Sequence, residues 1–113
     1  MATITIKRDN NGVSFHPNKL TLGNNDFVIW ANEDTAPDQD PPTADGGRHW
    51  PTPAGKADDW WMSDSLPPAQ AGQPAATSPN IAFGARGTVD QVINYVCALH
   101  PGEQGTIVIP KKP

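Results

Sequence analysis

The chain has 113 residues, a formal net charge of −4 and a single cysteine. This length suits one domain, residues 1–113, with a modest core, and a lone cysteine excludes an internal disulfide or a site built from several thiolates. The eight Lys and Arg residues are scattered, so nucleic-acid binding is not expected. No apolar run is long enough to predict a membrane span or a signal peptide.

Short apolar or alternating segments near both ends of the chain predict strands. They cover residues 3–8, 19–22 and 27–32 in the first part and residues 92–97 and 106–110 in the last. The sequence contains thirteen prolines, which break most candidate helices, and no apolar period of 3.6 residues is sustained. The pattern therefore predicts an all-β fold, an antiparallel sandwich.

The segment between these strand regions, about residues 33–80, has a different composition. Nine prolines and eight acidic residues fall within it. Three tryptophans, Trp50, Trp60 and Trp61, give this segment apolar surface with which to dock. We expect a long ordered loop with one short helical turn near residues 56–64, in which the tryptophans either cap a functional end of the sandwich or only pack the loop.

The stretch YVCALHPGEQG contains the only cysteine, with a histidine three residues later and a glutamate three residues after that. Alternation along the preceding strand places Ile93, Tyr95 and Cys97 on the core face. HPGEQG is predicted to form a tight turn, which would bring the Cys97 thiol, the His100 ring and the Glu103 carboxylate to one end of the sandwich. Thiolate and imidazole donors suit both copper oxidation states, whereas zinc sites usually have more cysteines or more histidines.

This stretch resembles the C-terminal motif of the cupredoxins, Tyr-x-Cys-x-x-His-x-x-Met-x-Gly. The motif positions are Tyr95, Cys97, His100, Glu103 and Gly105, and every position matches except the methionine, which Glu103 replaces. FHPNKLTLGNNDFVIWANED, in the first part of the chain, is similar to the family's Phe-x-Pro, strand, turn and Trp-x-Asn-x-Asp sequence. The two matches cover roughly half of the chain and occur in the family's order.

The resemblance implies a Greek-key sandwich that binds one Cu(I)/Cu(II) ion and transfers single electrons to transient redox partner proteins. It also implies a periplasmic or extracellular location for the mature protein. Alternatives are a copper site with an open position that binds or transforms a small molecule, as in the red copper relative nitrosocyanin, copper storage or delivery, and a relative that has lost its metal.

The resemblance also implies which residues bind the ion. Cys97 and His100 match two ligands, but family spacing places the first histidine ligand at Asp38. His49 is favoured instead, because it completes a set of two histidines and one cysteine and because loops tolerate an insertion of about a dozen residues. His16 falls at a variable surface position.

Glu103 aligns with the weak axial methionine of the family, so its carboxylate is expected to face the metal. Gln104 or a water molecule are the other candidates for this position. A carboxylate is a harder donor than a thioether and favours Cu(II). If Glu103 is a ligand, the reduction potential should fall, and the protein should be green, red or pale rather than blue.

Overall fold

The computed structural model describes residues 2–23, 26–38, 46–54, 65–83 and 88–111. Over these ranges the chain forms strands, turns and irregular segments but no helix. The described residues therefore include no helix that could cross a membrane. In chain order the strands are β1 (Ala2–Asp9), β2 (Gly12–His16), β3 (Lys19–Thr21), β4 (Asp26–Asn32), β5 (Pro51–Pro53), β6 (Ala76–Thr77), β7 (Ile81–Phe83), β8 (Gln91–Cys97) and β9 (His100–Ile109).

The strands form two sheets, which confirms the predicted β-sandwich. The first sheet has the order β2-β1-β4-β6, with β7 also paired to β4, and the second has the order β3-β9-β8-β5. The sheets are mixed and not antiparallel throughout as the sequence predicted, because β1 pairs with β4 and β3 pairs with β9 in parallel. The chain passes through β3 in the second sheet before it returns to β4 in the first, and this crossover, unlike a hairpin, permits parallel pairing.

The core lies between the two sheets and is built by alternate residues of the strands. Trp30 on β4 is fully buried, and the face opposite includes Tyr95 on β8. Cys97 is also fully buried and Ile93 packs against the core, so the predicted core face of β8 is confirmed. The largest fully buried apolar side chains are Trp30, Tyr95, Phe15, Ile4, Ile6, Ile107, Ile109 and Val28.

The tyrosine and the last glycine of the C-terminal motif are packing partners. Tyr95 pairs directly with Gly105 across β8 and β9, and a Cβ atom at Gly105 would lie 2.3 Å from Tyr95 Cζ. The Tyr95 ring packs edge to face with Phe15 and Trp30, at centroid distances of 4.9 and 5.5 Å. A side chain at Gly105 would therefore displace the ring at the centre of the core.

The long segment of residues 33–80 is ordered where the structure describes it. It contributes β5, which pairs with β8 beside Cys97, and β6, which pairs with the end of β4. Trp50 is half-buried and packs against the core. The predicted helical turn at residues 56–64, with Trp60 and Trp61, lies outside the described residues.

Candidate metal centre

The connection between β8 and β9 differs from the prediction. The turn consists of Ala98 and Leu99, and β9 begins at His100, so the expected tight turn over HPGEQG is wrong. Cys97 pairs with His100, whereas the preceding pair is Val96 with Gln104, so residues 101–103 bulge out of the ladder. A proline has no N–H for the ladder, which explains why regular pairing fails here.

This bulge returns the chain to the end of the sandwich, so that Glu103 faces the same point as His100. The nearest atoms of the two side chains, His100 Nδ1 and a Glu103 carboxylate oxygen, lie 3.2 Å apart. A regular two-residue alternation would put side chains three positions apart on opposite faces of the strand. The irregular register of β9 is therefore what brings the carboxylate to the histidine.

Cys97 lies at the end of β8, beside the edge strand β5. Its side chain is fully buried, and the backbone N–H of Trp50 donates a hydrogen bond to Cys97 Sγ at 3.3 Å. The carbonyl of Trp50 accepts a hydrogen bond from the Ala98 amide at 2.8 Å. The Trp50 backbone thus donates to the Cys97 sulfur and accepts from the residue that follows Cys97.

Four candidate ligand atoms, one each from His49, Cys97, His100 and Glu103, lie within 4.8 Å of one another. Cys97 Sγ is 3.6 Å from His100 Nδ1 and 3.9 Å from His49 Nδ1. The two Nδ1 atoms are 3.2 Å apart, and Glu103 Oε1 lies 2.9 Å from His49 Nδ1. His49 and Cys97 are fully buried, His100 is 4% exposed, and the Glu103 side chain is 12% exposed.

This donor set fits a single first-row transition-metal ion. Donors held about 2.0 to 2.3 Å from one ion in a roughly tetrahedral arrangement stand about 3.2 to 3.8 Å apart, close to the nitrogen and sulfur separations observed. One thiolate with two imidazoles is the donor set of cupredoxin-type copper sites. The two imidazoles, the thiol and the carboxylate all direct donor atoms to one point in the protein interior.

The loop carries His49 to this point through contacts of its backbone. His49 and Leu66 form an isolated antiparallel bridge, with N···O distances of 3.1 and 2.8 Å. The buried Asn32 amide donates to the carbonyls of Gly47, Leu66 and Pro67 at 2.8 to 3.1 Å. A single side chain at the end of β4 therefore holds both segments of the loop that meet at His49.

Gly47 allows a close approach between two segments of this loop. A Cβ atom there would lie 2.0 Å from the carbonyl oxygen of Ala36 and 2.6 Å from Pro68 Cβ. The first of these atoms belongs to the backbone, which cannot move aside as the end of a flexible side chain can. Glycine at this position lets the two arms of the loop cross two residues before His49.

The outer nitrogen of the His49 ring contacts a buried carboxylate. Asp34 Oδ2 lies 2.7 Å from His49 Nε2, and both side chains are fully buried. Burial alone raises the pKa of Asp34, but hydrogen bonds, first from Arg8 and then from the Ala36 amide, outweigh burial and hold this pKa below its ordinary value. Asp34 is therefore a carboxylate at neutral pH.

The inner nitrogen of the same ring faces the cluster. Burial alone lowers the pKa of His49, but its hydrogen bonds, first with Cys97 and then with Glu103, outweigh burial and raise that pKa to about 10. Without a bound ion the ring is therefore protonated on both nitrogens at neutral pH, and an ion that binds Nδ1 must displace one proton.

The other residues that the sequence offered for the site lie elsewhere. Asp38 is at the surface in an ion pair with Arg48, at 2.8 Å. His16 is exposed, and its Nε2 lies 2.7 Å from Ser14 Oγ. The side chain of Gln104 is exposed on β9. The structure thus gathers His49, Cys97, His100 and Glu103 and leaves the alternatives outside.

Three residues around the site were not identified from the sequence: Arg8, Asn32 and Asp34. The Trp-x-Asn-x-Asp resemblance contained Asn32 and Asp34 but assigned them no role. Their polar side chains directly after an apolar strand were the available signal, because such groups are buried only when they are hydrogen-bonded. Arg8 lies 26 residues from Asp34 in the chain, and nothing in the local sequence links them.

Comparison with known proteins agrees with this fold. The structure is similar to that of a copper-containing nitrite reductase from Thermus scotoductus SA-01, with a TM-score of 0.68 and 20% sequence identity over 98% of this chain and 23% of that chain. No protein-family model and no curated protein sequence matches the chain. The protein therefore has a cupredoxin-like fold, and it carries at one end a His-Cys-His-Glu cluster that fits a cupredoxin-type copper site.

Proposed function

We propose that the protein is a mononuclear copper protein that transfers single electrons. His49, Cys97 and His100 are the principal ligands in this proposal, and Glu103 supplies a fourth, carboxylate ligand. The observation that carries the proposal is the convergence of these four donors within 4.8 Å, from three separate parts of the chain. A bound copper ion would supply the one-electron Cu(I)/Cu(II) couple.

The burial of the donors supports electron transfer rather than chemistry on a substrate. His49 and Cys97 are fully buried and His100 nearly so, which leaves little room for a substrate beside the three strongest donors. The loop contacts of His49 and the strand pairing of Cys97 hold these side chains in place. Ligands that do not move between oxidation states keep the structural cost of an electron transfer low.

The Trp50 amide supports thiolate chemistry at Cys97. A backbone N–H that donates to sulfur stabilises negative charge there, and hydrogen bonding around the cysteine sulfur tunes the potential of copper sites. The Glu103 carboxylate should lower the reduction potential relative to a methionine at this position, because an anionic oxygen donor favours Cu(II). We therefore propose a potential below that of the blue copper proteins and a green, red or pale colour.

One observation favours a second function, in which the site binds or transforms a small molecule. Glu103 is the most exposed of the four residues, at 12%, and is the last residue of the bulge at residues 101–103. If the Glu103 carboxylate dissociates from the ion, a small anion could bind in its position. Azide and nitrite are suitable probes for such an open position.

Voltammetry and anion titration of the copper-loaded protein separate the two functions. An electron carrier gives a reversible one-electron wave and an optical spectrum that excess azide or nitrite leaves unchanged. A spectrum that titrates with either anion supports the second function. An irreversible wave, together with Cu(I) affinity far above Cu(II) affinity, contradicts electron transfer and supports storage or delivery.

We also propose transient redox proteins as partners and a periplasmic or extracellular location. Both follow from the cupredoxin resemblance. The net charge of −4 is too small to define the charge of a partner. Fractionation of the source cells tests the location. The partner class is tested by asking whether the copper-loaded protein oxidises candidate reduced proteins.

A further inference from the structure

The Asp34 carboxylate is held by several hydrogen bonds beside the candidate metal centre. Its Oδ2 lies 2.7 Å from His49 Nε2, and its Oδ1 accepts from the Ala36 amide at 3.0 Å. The side chain is fully buried and contacts His49 on the side of the ring opposite to the cluster. Because a carboxylate only accepts hydrogen bonds, His49 Nε2 keeps its proton when an ion binds, so Nδ1 is the nitrogen that gives up its proton to the ion.

Arg8 holds this carboxylate in a fixed orientation. Its guanidinium donates to both oxygens of Asp34, at 2.9 and 3.0 Å, and to the carbonyl of Gly46 at 3.1 Å. A two-point contact of this kind fixes the plane of the carboxylate as well as its position. The same arginine thereby secures the loop three residues before His49.

We propose that Arg8 and Asp34 are positioning residues that select Nδ1 of His49 as the metal-binding nitrogen and raise its electron density. The effect on the metal rests on the proposed copper function. The orientation of the His49 ring does not, because it is set by contacts within the metal-free protein. Carboxylate partners of metal-binding histidines fix the ring nitrogen that carries the proton and make the other nitrogen a better donor.

The contact between Asp34 and the His49 ring distinguishes a positioning role from simple tethering of the loop. The loop is already held by the Asn32 amide and by the His49–Leu66 bridge, which do not touch the ring. Asp34 forms the hydrogen bond to Nε2 of His49, at 2.7 Å. A tether alone would affect stability, whereas a positioning role also affects the proton on Nε2 and the relative affinity for Cu(II) and Cu(I).

The first test uses the metal-free protein and long-range 1H–15N NMR of the histidine side chains. The expected spectrum shows a proton on His49 Nε2 that is shifted downfield and exchanges slowly with water. Arg8→Met is expected to speed this exchange about tenfold or more, since a charge-assisted contact that restrains Asp34 is lost. Lys7→Met, which removes an exposed positive charge from the same strand as Arg8, serves as the control and should leave the exchange unchanged. An Nε2 that carries no proton, or equal exchange in both variants, overturns the inference.

The second test compares Asp34→Asn with Asp38→Asn in the copper-loaded protein. Both variants remove one carboxylate of an Arg–Asp pair, but only Asp34 contacts His49. Loss of a carboxylate partner typically weakens metal binding about 10- to 100-fold, and Cu(II) should lose more affinity than Cu(I). Each tenfold difference between the two raises the potential by about 59 mV. Equal potentials in the two variants would overturn the inference.

The two tests also separate this inference from the proposed function. If the wild-type protein binds no copper, the function fails, and the NMR experiment still decides how the His49 ring is held. If copper binds and Asp34→Asn behaves as Asp38→Asn does, the function stands and the inference fails. If Asp34→Asn does not fold, the wild-type spectrum and Arg8→Met still give a result.

Discussion

Glu103 Oε1 lies 2.9 Å from His49 Nδ1, closer than the 3.2 Å that separates His49 Nδ1 from His100 Nδ1. The bulge at residues 101–103 and the long loop thus bring together two residues that are far apart in the sequence. A carboxylate in this place contributes negative charge as well as a donor atom, so its replacement should change the copper site in a predictable direction.

Glu103→Met restores the residue that the cupredoxin motif carries at this position. A thioether binds Cu(II) more weakly than a carboxylate does, so the potential should rise by about 59 mV for each tenfold loss of Cu(II) affinity relative to Cu(I). The visible absorption should shift toward that of a blue copper protein. Voltammetry and optical spectra check both effects. Glu33→Met, at an exposed position, is the control, and a potential that is the same in both variants would exclude Glu103 as a ligand.

Copper binding should depend on pH because it displaces a proton from His49. The pKa of this ring is raised to about 10 in the absence of an ion, so protons compete for Nδ1 throughout the neutral range. The apparent copper affinity should rise at least about tenfold per pH unit above pH 7. The contribution of His49 to this rise should end near pH 10, where the ring loses its proton without an ion. Competition with a Cu(I) chelator of known affinity at each pH measures the slope. An affinity that is constant from pH 7 to 9 would contradict the protonated ring.

Gly105→Ala should destabilise the core without removing any candidate ligand. The new Cβ atom would lie 2.3 Å from Tyr95 Cζ, and overpacking of this kind typically costs about 1–3 kcal/mol. Denaturant unfolding of the metal-free protein measures the change. Gly102→Ala is the matched control on the same strand, since a Cβ atom there meets no atom within 4 Å. Similar losses in the two variants would mean that the Tyr95 ring does not require the glycine.

Asn32→Ala should loosen the loop that carries His49. The variant removes a buried amide that donates to three carbonyl oxygens, and the loss of one to three such bonds costs about 1–4 kcal/mol. Metal affinity should fall together with stability, because His49 is held through this loop. Asn94→Ala, which removes an exposed contact with Thr106, should cost little. Unfolding curves and copper titration of both variants provide the comparison, and an unchanged copper affinity in Asn32→Ala would show that the loop does not depend on this amide.

The sequence predicted those features that depend on local spacing. Cys97, His100 and Glu103 fall within seven residues, so any compact connection between two strands brings them near one another. The strands around Trp30 and Tyr95 were recognised because each contains a short run of apolar residues. The turn was misplaced because the pairing of Cys97 with His100, and the bulge that follows, depend on the register of the whole β8–β9 pair.

Features that depend on distant contacts were not predicted. Arg8 and Asp34 are separated by 26 residues, and Asp34 and His49 by 15, and neither separation forms a recognisable pattern. The short strands β6 and β7 were missed because they are stabilised by pairing with β4 rather than by their own composition. His49 was favoured from its residue type and from the tolerance of loops for insertions, and the contacts that hold it at the site became apparent only in the fold.

The most direct test of the central claim is the optical and electron paramagnetic resonance spectrum after one equivalent of Cu(II) is added to the wild-type protein and to Cys97→Ser. The wild-type protein should show a visible absorption band from thiolate-to-copper charge transfer and the signal of one bound Cu(II). Cys97→Ser should lack the visible band, because a serine hydroxyl provides no sulfur donor. Wild-type protein that stays colourless, or a visible band that persists in Cys97→Ser, would contradict copper binding at this cluster.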